Sequence, residues 1–167
     1  MTDAHLRERV VDALYDLMTT LEEGSARYDS SFPIHVPENA VMKRWEEWGA
    51  LDQDGLIPAI LLLPGRTGQK SESETVGYLT ELLPFSIVTV VKGPDRNNRS
   101  ARDVIDQNSD MHYSIETLLN GSRDLGIEGV LDTRIEDFGG TEELLYPFLL
   151  TKYRVIVEHT YEYTESV

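Results

Sequence analysis

The feature that most constrains this fold is the apolar pattern between residues 101 and 119. Its members recur three and four residues apart, as one face of an α-helix requires. They are Ala101, Val104, Ile105, Asn108, Met111, His112, Ile115, Leu118 and Leu119. Asn120–Gly121 supplies a C-terminal stop. The pattern predicts a long amphipathic helix that packs against another layer.

A second amphipathic helix is predicted over residues 3–22. Its apolar residues are spaced by four, four, three and four positions, which places them on one stripe. They are Leu6, Val10, Leu14, Leu17 and Leu21. Gly24 is a natural end for this helix.

Four further segments predict β-strands. Residues 57–63 form a continuous apolar run, which indicates a buried strand. Residues 85–92 are rich in β-branched side chains and predict a strand, whereas the residues just before them fit a strand or a short helix. Residues 128–138 alternate in polarity, and Gly139–Gly140 is expected to break that strand.

The last predicted strand and the preceding one each have two distinct faces. The last strand is expected within residues 144–163, and one of its faces carries Val155, Val157, His159, Tyr161 and Tyr163, with Ile156 an exception on the other face. In the 128–138 strand, Leu131, Thr133 and Ile135 are expected to oppose Val130, Asp132 and Arg134. The alternation in 128–138 indicates a half-buried strand.

Residues 25–56 are the least regular part of the sequence. The segment 32–38 has a proline on each side of Ile-His-Val, which suits an edge strand or extended arm. Residues 39–51 fit a short helix ended by Gly49, in which Trp45 and Trp48 would share a face.

Together these elements predict an α+β fold with a mainly antiparallel sheet and two long amphipathic helices packed on one face. A length of 167 residues suggests a single domain over 1–167. Within it, 25–56 is expected to be an irregular insertion with an edge arm, and 64–75 a flexible loop.

Composition limits the function classes. The 30 acidic residues against 15 basic ones give a formal net charge of −15, which disfavours binding to bulk nucleic acid and to anionic membranes. Only four of the basic residues are lysines, a balance that fits either a halophilic source or an ordinary acidic protein. The chain has no cysteine, so disulfides, thiolate nucleophiles and cysteine-based zinc sites are excluded. No stretch approaches the roughly 18 apolar residues of a membrane span, and no membrane partner is expected.

No motif predicts catalysis. A phosphate-binding loop ending at Lys70–Ser71 would need glycine at positions 64 and 69, which hold Pro64 and Gln69. None of the four histidines has a metal-ligand spacing, and His112 and His159 are interpreted as partly buried, satisfied side chains. The carboxylates are interpreted as a solvated surface. We therefore predict no enzyme, no cofactor, and no catalytic, cofactor-binding or metal-binding residue.

Two groups of residues suggest contacts with other molecules. Arg96, Arg99 and Arg102 form a cationic turn at the start of a helix, where the helix dipole disfavours positive charge. An acidic patch on another copy or nucleic-acid phosphates would favour that placement, and solvent-screened arginines are the alternative. Tyr161 and Tyr163 end the last strand, and a tyrosine-rich strand suits a protein interface, with an ordinary half-exposed strand as the alternative.

The order and length of these elements resemble those of the tail terminator, or tail completion, proteins of tailed viruses. The resemblance spans most of the chain and is one of order, because the family has no invariant catalytic motif. The segments that carry it are "LRERVVDALYDL", "PAILLLPGRTG", "PFSIVTVVKG", "ARDVIDQNSDMHYSIETLL", "EGVLDTRIEDF" and "YRVIVEHTYEY".

This resemblance implies a structural virion protein, assembled in the host cytoplasm, that forms a ring at the tail–neck junction. Such a ring, expected to be a hexamer, would terminate the tail tube and join it to the neck or connector proteins, with the genome DNA passing through its centre. Arg96, Arg99 and Arg102 would make subunit or lumen contacts, and Arg66 and Lys70 would meet the tube or a neighbouring subunit. Tyr161 and Tyr163 would lie at a strand interface.

Two alternatives stay open. Another neck or tube protein of a tailed virus fits the same element order. A monomeric ligand-binding or enzymatic α+β domain, with a site assembled from dispersed residues, also fits the sequence.

Overall fold

A computed structural model of the protein describes residues 3–65, 69–72, 78–93, 101–140 and 148–162. The helices are α1 (Asp3–Met18), α2 (Trp48–Gln53) and α3 (Ala101–Gly121). The strands are β1 (Val41–Met42), β2 (Ala59–Pro64), β3 (Gln69–Glu72), β4 (Tyr78–Lys92), β5 (Val130–Gly140) and β6 (Phe148–Glu162). The strands form one sheet in the order β1-β2-β4-β6-β5, and β3 also pairs with β4. Only the β1–β2 pairing is parallel among these ladders, so the predicted α+β class and mainly antiparallel sheet are confirmed.

The centre of the sheet is the antiparallel pair β4–β6. These two strands pair residue for residue from Tyr78 opposite Glu162 to Lys92 opposite Phe148. Each has 15 residues, which corresponds to a ladder of about 50 Å. The part of β4 that the sequence left open between strand and helix is therefore strand.

The strands β2 and β3 follow one another along the same side of β4. Strand β2 pairs with residues 85–90 and β3 with residues 79–82. At the break between them the Gly65 amide donates to the Pro84 carbonyl oxygen at 2.9 Å, and a Cβ on Gly65 would collide with that oxygen. The range 64–75 was expected to be a flexible loop, but Gln69–Glu72 within it is a paired strand.

The helices α1 and α3 contact each other, and both contact strands of the sheet. Helix α1 buries Leu6, Val10 and Leu14 as predicted. It ends at Met18 and continues as a 3-10 turn over Thr19–Leu21, instead of running as α-helix to residue 22.

The predicted apolar stripe of α3 is confirmed in its second half. Met111, Ile115 and Leu119 are at most 1% exposed. Ile105, in contrast, is 59% exposed, so its assignment to the buried face is wrong.

The segment before β2 differs from the prediction. Residues Val41–Met42 pair with β2, which prevents them from joining a helix. Helix α2 begins at Trp48, so Gly49 lies inside it rather than at its end. Trp45 lies outside the helix and is 46% exposed, so the two tryptophans do not share a helical face.

The predicted edge arm is extended at Val36. Val36 forms an isolated parallel bridge with Glu22 and is fully buried. Val36 therefore packs in the core together with Ile34 of the same segment.

Strand β5 is irregular at two places. Its register against β6 shifts between Val130 and Asp132 and again between Ile135 and Asp137. The first bulge turns Leu131 outward, where it is 58% exposed. The predicted alternation, which grouped Leu131 with buried Thr133, is therefore wrong at this position. Gly139–Gly140 does not break the strand, because both residues pair with β6.

Strand β6 has the expected faces. Val155, Val157 and His159 are buried on one side. Ile156, the predicted exception, is only 4% exposed although it lies on the other side.

We expect alanine at Gly129 to destabilise the protein more than alanine at Gly126. Both glycines have positive φ, +87° and +66°, so either substitution should cost roughly 1–2 kcal/mol. A Cβ at Gly129 would also lie 2.7 Å from the Thr160 carbonyl oxygen and 2.8 Å from His159 Nε2. At Gly126 it would meet no described atom within 4 Å.

The overcrowding at Gly129 should add about 1–3 kcal/mol to the loss of unfolding free energy. Urea denaturation of Gly129→Ala and of the matched control Gly126→Ala measures the difference. Equal losses in the two variants would contradict the close packing of Gly129 on β6.

Candidate functional site

The aromatic rings of His112, Phe138 and Tyr153 contact one another between α3 and β5, from the surface to the core. The ring centroid of His112 lies 4.5 Å from that of Phe138 and 5.5 Å from that of Tyr153. Tyr153 is fully buried, whereas Phe138 is 56% exposed. The predicted partly buried character of His112 is confirmed, since its side chain is 29% exposed, and its Nε2 lies 3.2 Å from Glu116 Oε2.

Exposed large hydrophobic residues concentrate on the same two elements. In the part of the chain that the structure describes there are six, and four of them lie on α3 or β5. Those four are Ile105, Tyr113, Leu131 and Phe138. Single exposed apolar residues are normal, and Leu131 lies seven residues from Phe138, about 23 Å along β5, so the candidate contact surface is the part around Phe138 and His112.

Strand β5 forms one end of the sheet order and pairs only with β6 among the described residues. Its backbone therefore presents a free edge. Residues 136–140 are all exposed, and after the second bulge the ladder is regular from Asp137 to Gly140. The edge and the apolar residues beside it form an open surface with one depression of about 370 Å³, which is lined by Asp137, Phe138, Gly139, Gly140, Lys152 and Arg154.

Two polar residues, Glu81 and His159, are buried near the end of the sheet where β4 begins and β6 ends. Glu81 lies directly opposite His159, and the two residues are only 1% and 9% exposed. The His159 ring stacks on Tyr161 with centroids 6.0 Å apart. Directly opposite residues of an antiparallel pair share a face of the sheet, so Glu81 and His159 form a buried titratable pair.

Glu81 was not among the residues predicted from the sequence. The interpretation of the carboxylates as a solvated surface is wrong for Glu81, which is buried. The signal was the alternation of β4: Glu81 lies two residues before buried Leu83 and four before buried Phe85, on the same face.

Three of the predicted contact residues lie on described backbone. Lys70 is in β3, opposite Glu81, and Tyr161 is in β6, opposite Leu79. Both positions belong to the end of the sheet where β4 begins. Arg102 is in the first turn of α3. The other four lie outside the described residues: Arg66, Arg96, Arg99 and Tyr163.

Arg102 lies away from the other two predicted contacts. Five residues beyond it on α3, the Gln107 side chain donates to the carbonyl oxygen of Lys92, which is the last residue of β4. The beginning of α3 is therefore close to one end of β4 and Lys70 close to the other, so the structure does not bring these predicted contacts together.

A groove opens between α1 and the β2 edge. It has a volume of about 490 Å³ and is lined by Arg7, Glu8, Val11, Asp12, Lys43 and Pro64. We call this the α1 groove. The Lys43 Nζ donates to Asp12 Oδ1 at 2.7 Å, and this hydrogen bond raises the pKa of the Lys43 amine. The Arg7 Nη1 donates to the Gly65 carbonyl oxygen at 2.7 Å, which ties α1 to the end of β2.

Within the described ranges, no group of histidine and acidic side chains is arranged to hold a metal ion. Likewise, no helix in those ranges has the length and apolar character needed to cross a membrane. No known protein-family model matches the sequence, and no curated protein matches it either.

We expect stability to fall at high pH because of Tyr153. Burial raises the pKa of its phenol from the usual 10.0 to about 12. Between these two values the unfolded chain releases the phenolic proton while the folded chain retains it, so unfolding becomes easier as pH rises. The loss should reach about 2–3 kcal/mol by pH 12.

Urea denaturation between pH 9 and 12 measures this loss, with Tyr153→Phe as the control that lacks the ionising group. The variant should lose correspondingly less stability over the same pH range. Parallel pH profiles for the two proteins would contradict the buried, neutral phenol.

Proposed function

We propose that this chain is a structural virion protein of a tailed virus that forms a ring at the tail–neck junction. The ring would terminate the tail tube and join it to the neck or connector proteins. In this proposal the protein has no catalytic role and holds no cofactor, and the genome DNA passes through the ring at most transiently.

The observation that carries the proposal is the grouping of exposed apolar residues beside a free sheet edge. Phe138 and Ile105 each expose more than half of their surface on adjoining elements. Exposed apolar groups of this kind are typical of protein–protein contact surfaces. An assembly protein needs such surfaces, and an enclosed substrate site is not required for that role.

The order of elements supports the same class through the resemblance to tail terminators. In this proposal, α1 and α3 are the two long amphipathic helices that cover one face of the sheet. Their contact with each other and with the strands is consistent with that arrangement.

Seven residues are the proposed contacts of the ring. Arg96, Arg99 and Arg102 would face a neighbouring subunit or the lumen. Arg66 and Lys70 would meet the tube or the next subunit, and Tyr161 and Tyr163 would lie at a strand interface. The hexameric number, like these residue assignments, comes from the resemblance.

The net charge of −15 adds a condition for assembly. Copies with this charge repel one another at low ionic strength. Concentrated salt shortens the screening length to about 3 Å at 1 M and removes most of that repulsion. A virus of a halophilic host would provide such conditions.

A second candidate function is favoured by the buried pair Glu81–His159. Titratable residues buried together are more frequent at functional sites than on ordinary sheet surfaces. A monomeric ligand-binding or enzymatic domain would be built around this pair and would need no ring.

We expect the purified protein to form a closed ring in concentrated salt. Light scattering coupled to size exclusion, at about 0.05 M and 2 M KCl, should show a larger mass at the higher concentration because charge repulsion is screened. Electron microscopy of the high-salt sample should show rings. A monomer in both salts at high protein concentration would contradict the proposal and favour the second candidate.

We also expect that replacing Arg96, Arg99 and Arg102 together by serine weakens ring assembly and leaves the fold intact. Circular dichroism provides the check on the fold, and the ring mass provides the readout. The matched control is Arg44→Ser, which removes a cation whose side chain is 70% exposed, far from this turn in sequence. An unchanged ring in the triple variant would remove these arginines from the proposed contacts.

A further inference from the structure

Four polar side chains lie together between α3 and the central ladder, and we call them the buried polar cluster: Thr89, Asn108, Thr151 and Tyr153. Thr89 lies directly opposite Thr151 in the β4–β6 ladder, so the two side chains share a face of the sheet. Tyr153 is two residues after Thr151 and therefore points to that same face. The Thr151 hydroxyl donates to Oδ1 of Asn108 on α3 at 2.9 Å. The cluster thus joins α3 to both strands of the ladder.

The surroundings of the buried polar cluster are apolar. On the same face of β4, the nearest neighbours of Thr89 are Ile87 and Val91, and both are fully buried. On α3, Met111 is fully buried three residues after Asn108. Burying a polar side chain among apolar ones costs free energy unless its hydrogen bonds are made. The hydrogen bonds of the cluster therefore have to be accounted for one by one.

Two hydroxyls of the cluster are buried without a hydrogen bond. Thr89 and Tyr153 are fully buried, and neither Thr89 Oγ1 nor the Tyr153 phenol oxygen has a partner within the described ranges. Buried hydroxyls in folded proteins are bonded in the large majority of cases, either to protein groups or to ordered water. The two side chains are therefore aimed at a site that a small hydrogen-bonding molecule can occupy.

The same two hydroxyls are close to each other. Thr89 and Tyr153 are diagonal neighbours in the ladder, about 7–8 Å apart at the backbone, which an aromatic side chain can span. Burial raises the pKa of the Tyr153 phenol to about 12, and the nearby Thr89 side chain opposes part of that rise. Polar groups that are near each other without direct hydrogen bonding are commonly bridged by a water molecule.

We propose that one water molecule binds in the buried polar cluster, between the hydroxyls of Tyr153 and Thr89. It accepts a hydrogen bond from each of these hydroxyls and donates one to Thr151 Oγ1, whose own proton is already used for Asn108. Three hydrogen bonds are typical of a buried water. This inference concerns the inside of one subunit and does not depend on the proposed ring.

The chemistry of the cluster selects a neutral molecule. None of its four side chains is charged at neutral pH, so an ion bound there would lack a counter-charge within the cluster, which is costly in a buried site. Water can both accept and donate within a small volume. Gly140 lies directly opposite Thr151 and is exposed, and a Cβ on it would be 3.9 Å from Thr151 Oγ1. The missing side chain leaves this part of the cluster close to solvent, from which water can enter.

The bound water also accounts for how the first half of α3 is held. Ile105 is 59% exposed, so apolar packing contributes little there. The contacts at this level are polar instead, with Gln107 donating to the Lys92 carbonyl oxygen at 3.2 Å and Asn108 accepting from Thr151. A water on Thr151 extends this set of hydrogen bonds to Thr89, in the middle of the sheet.

The variant Thr89→Val tests the site, because it removes the hydroxyl and keeps the shape of the side chain. Its expected effect is an approximately tenfold rise in the equilibrium constant for unfolding, since the water and Tyr153 lose a partner in a buried position. The matched control is Thr133→Val. Thr133 is also fully buried with a hydroxyl that has no partner in the described part of the chain, but it lies opposite the apolar Val157.

Urea denaturation of the two variants gives the first result. Thr133→Val should leave the unfolding constant unchanged or lower it, because replacing an unbonded buried hydroxyl with a methyl group removes a cost. If Thr89→Val is as harmless as Thr133→Val, the Thr89 hydroxyl has no bound partner and the inference is wrong.

A high-resolution crystal structure gives the second result. It should show a water within hydrogen-bonding distance of the Tyr153 phenol oxygen and of Thr89 Oγ1, lost in Thr89→Val and retained in Thr133→Val. A direct hydrogen bond between the two hydroxyls, with no water between them, would overturn the inference whatever the denaturation data show. Neither result bears on ring formation, so the proposed function is tested separately.

Discussion

The structure depends on the ladder between β4 and β6, which are paired along the whole of both strands. Every other described strand except β1 is placed by one of these two, since β2 and β3 pair with β4, and β5 pairs with β6. The central position also explains the composition of the core. Phe85, Val155 and Val157 are buried because the ladder has a strand on each side and helix α3 in contact with it. Among the described strands, β1, β3 and β5 each pair on one side only, and these edges are far apart in sequence and different in character.

Periodicity predicted the elements that have a clear inner and outer side. The stripe of α1, the buried run of β2 and the faces of β6 all follow from spacing alone, because burial repeats with the geometry of the backbone. The predictions are wrong where pairing with another strand determines the local structure. Val41–Met42 is a strand because β2 is beside it, and Leu131 is outward because a bulge moves it. Neither the pairing with β2 nor the bulge can be recognised from the local sequence.

The candidate site was predicted less well than the fold. Phe138 was part of an expected strand, but its contact with His112 joins residues 26 positions apart, and no local pattern reports such a pair. The burial of Glu81 was not predicted for a related reason. A charged residue is assigned to the solvent-exposed face unless the burial of the apolar residues on its own face of the strand is considered first. In contrast, the basic turn and the tyrosines were visible in composition, and most of those residues lie outside the described part of the chain.

The two tryptophans have a practical consequence for spectroscopy. Trp45 is 46% exposed in the irregular segment, and Trp48 begins the short helix α2, so neither belongs to a strand of the sheet. Intrinsic indole emission therefore reports on residues 25–56, whereas far-ultraviolet ellipticity is dominated by the sheet and the two longer helices. Comparing the two signals during denaturation shows directly whether this segment melts together with the rest of the domain or as a separate cooperative unit.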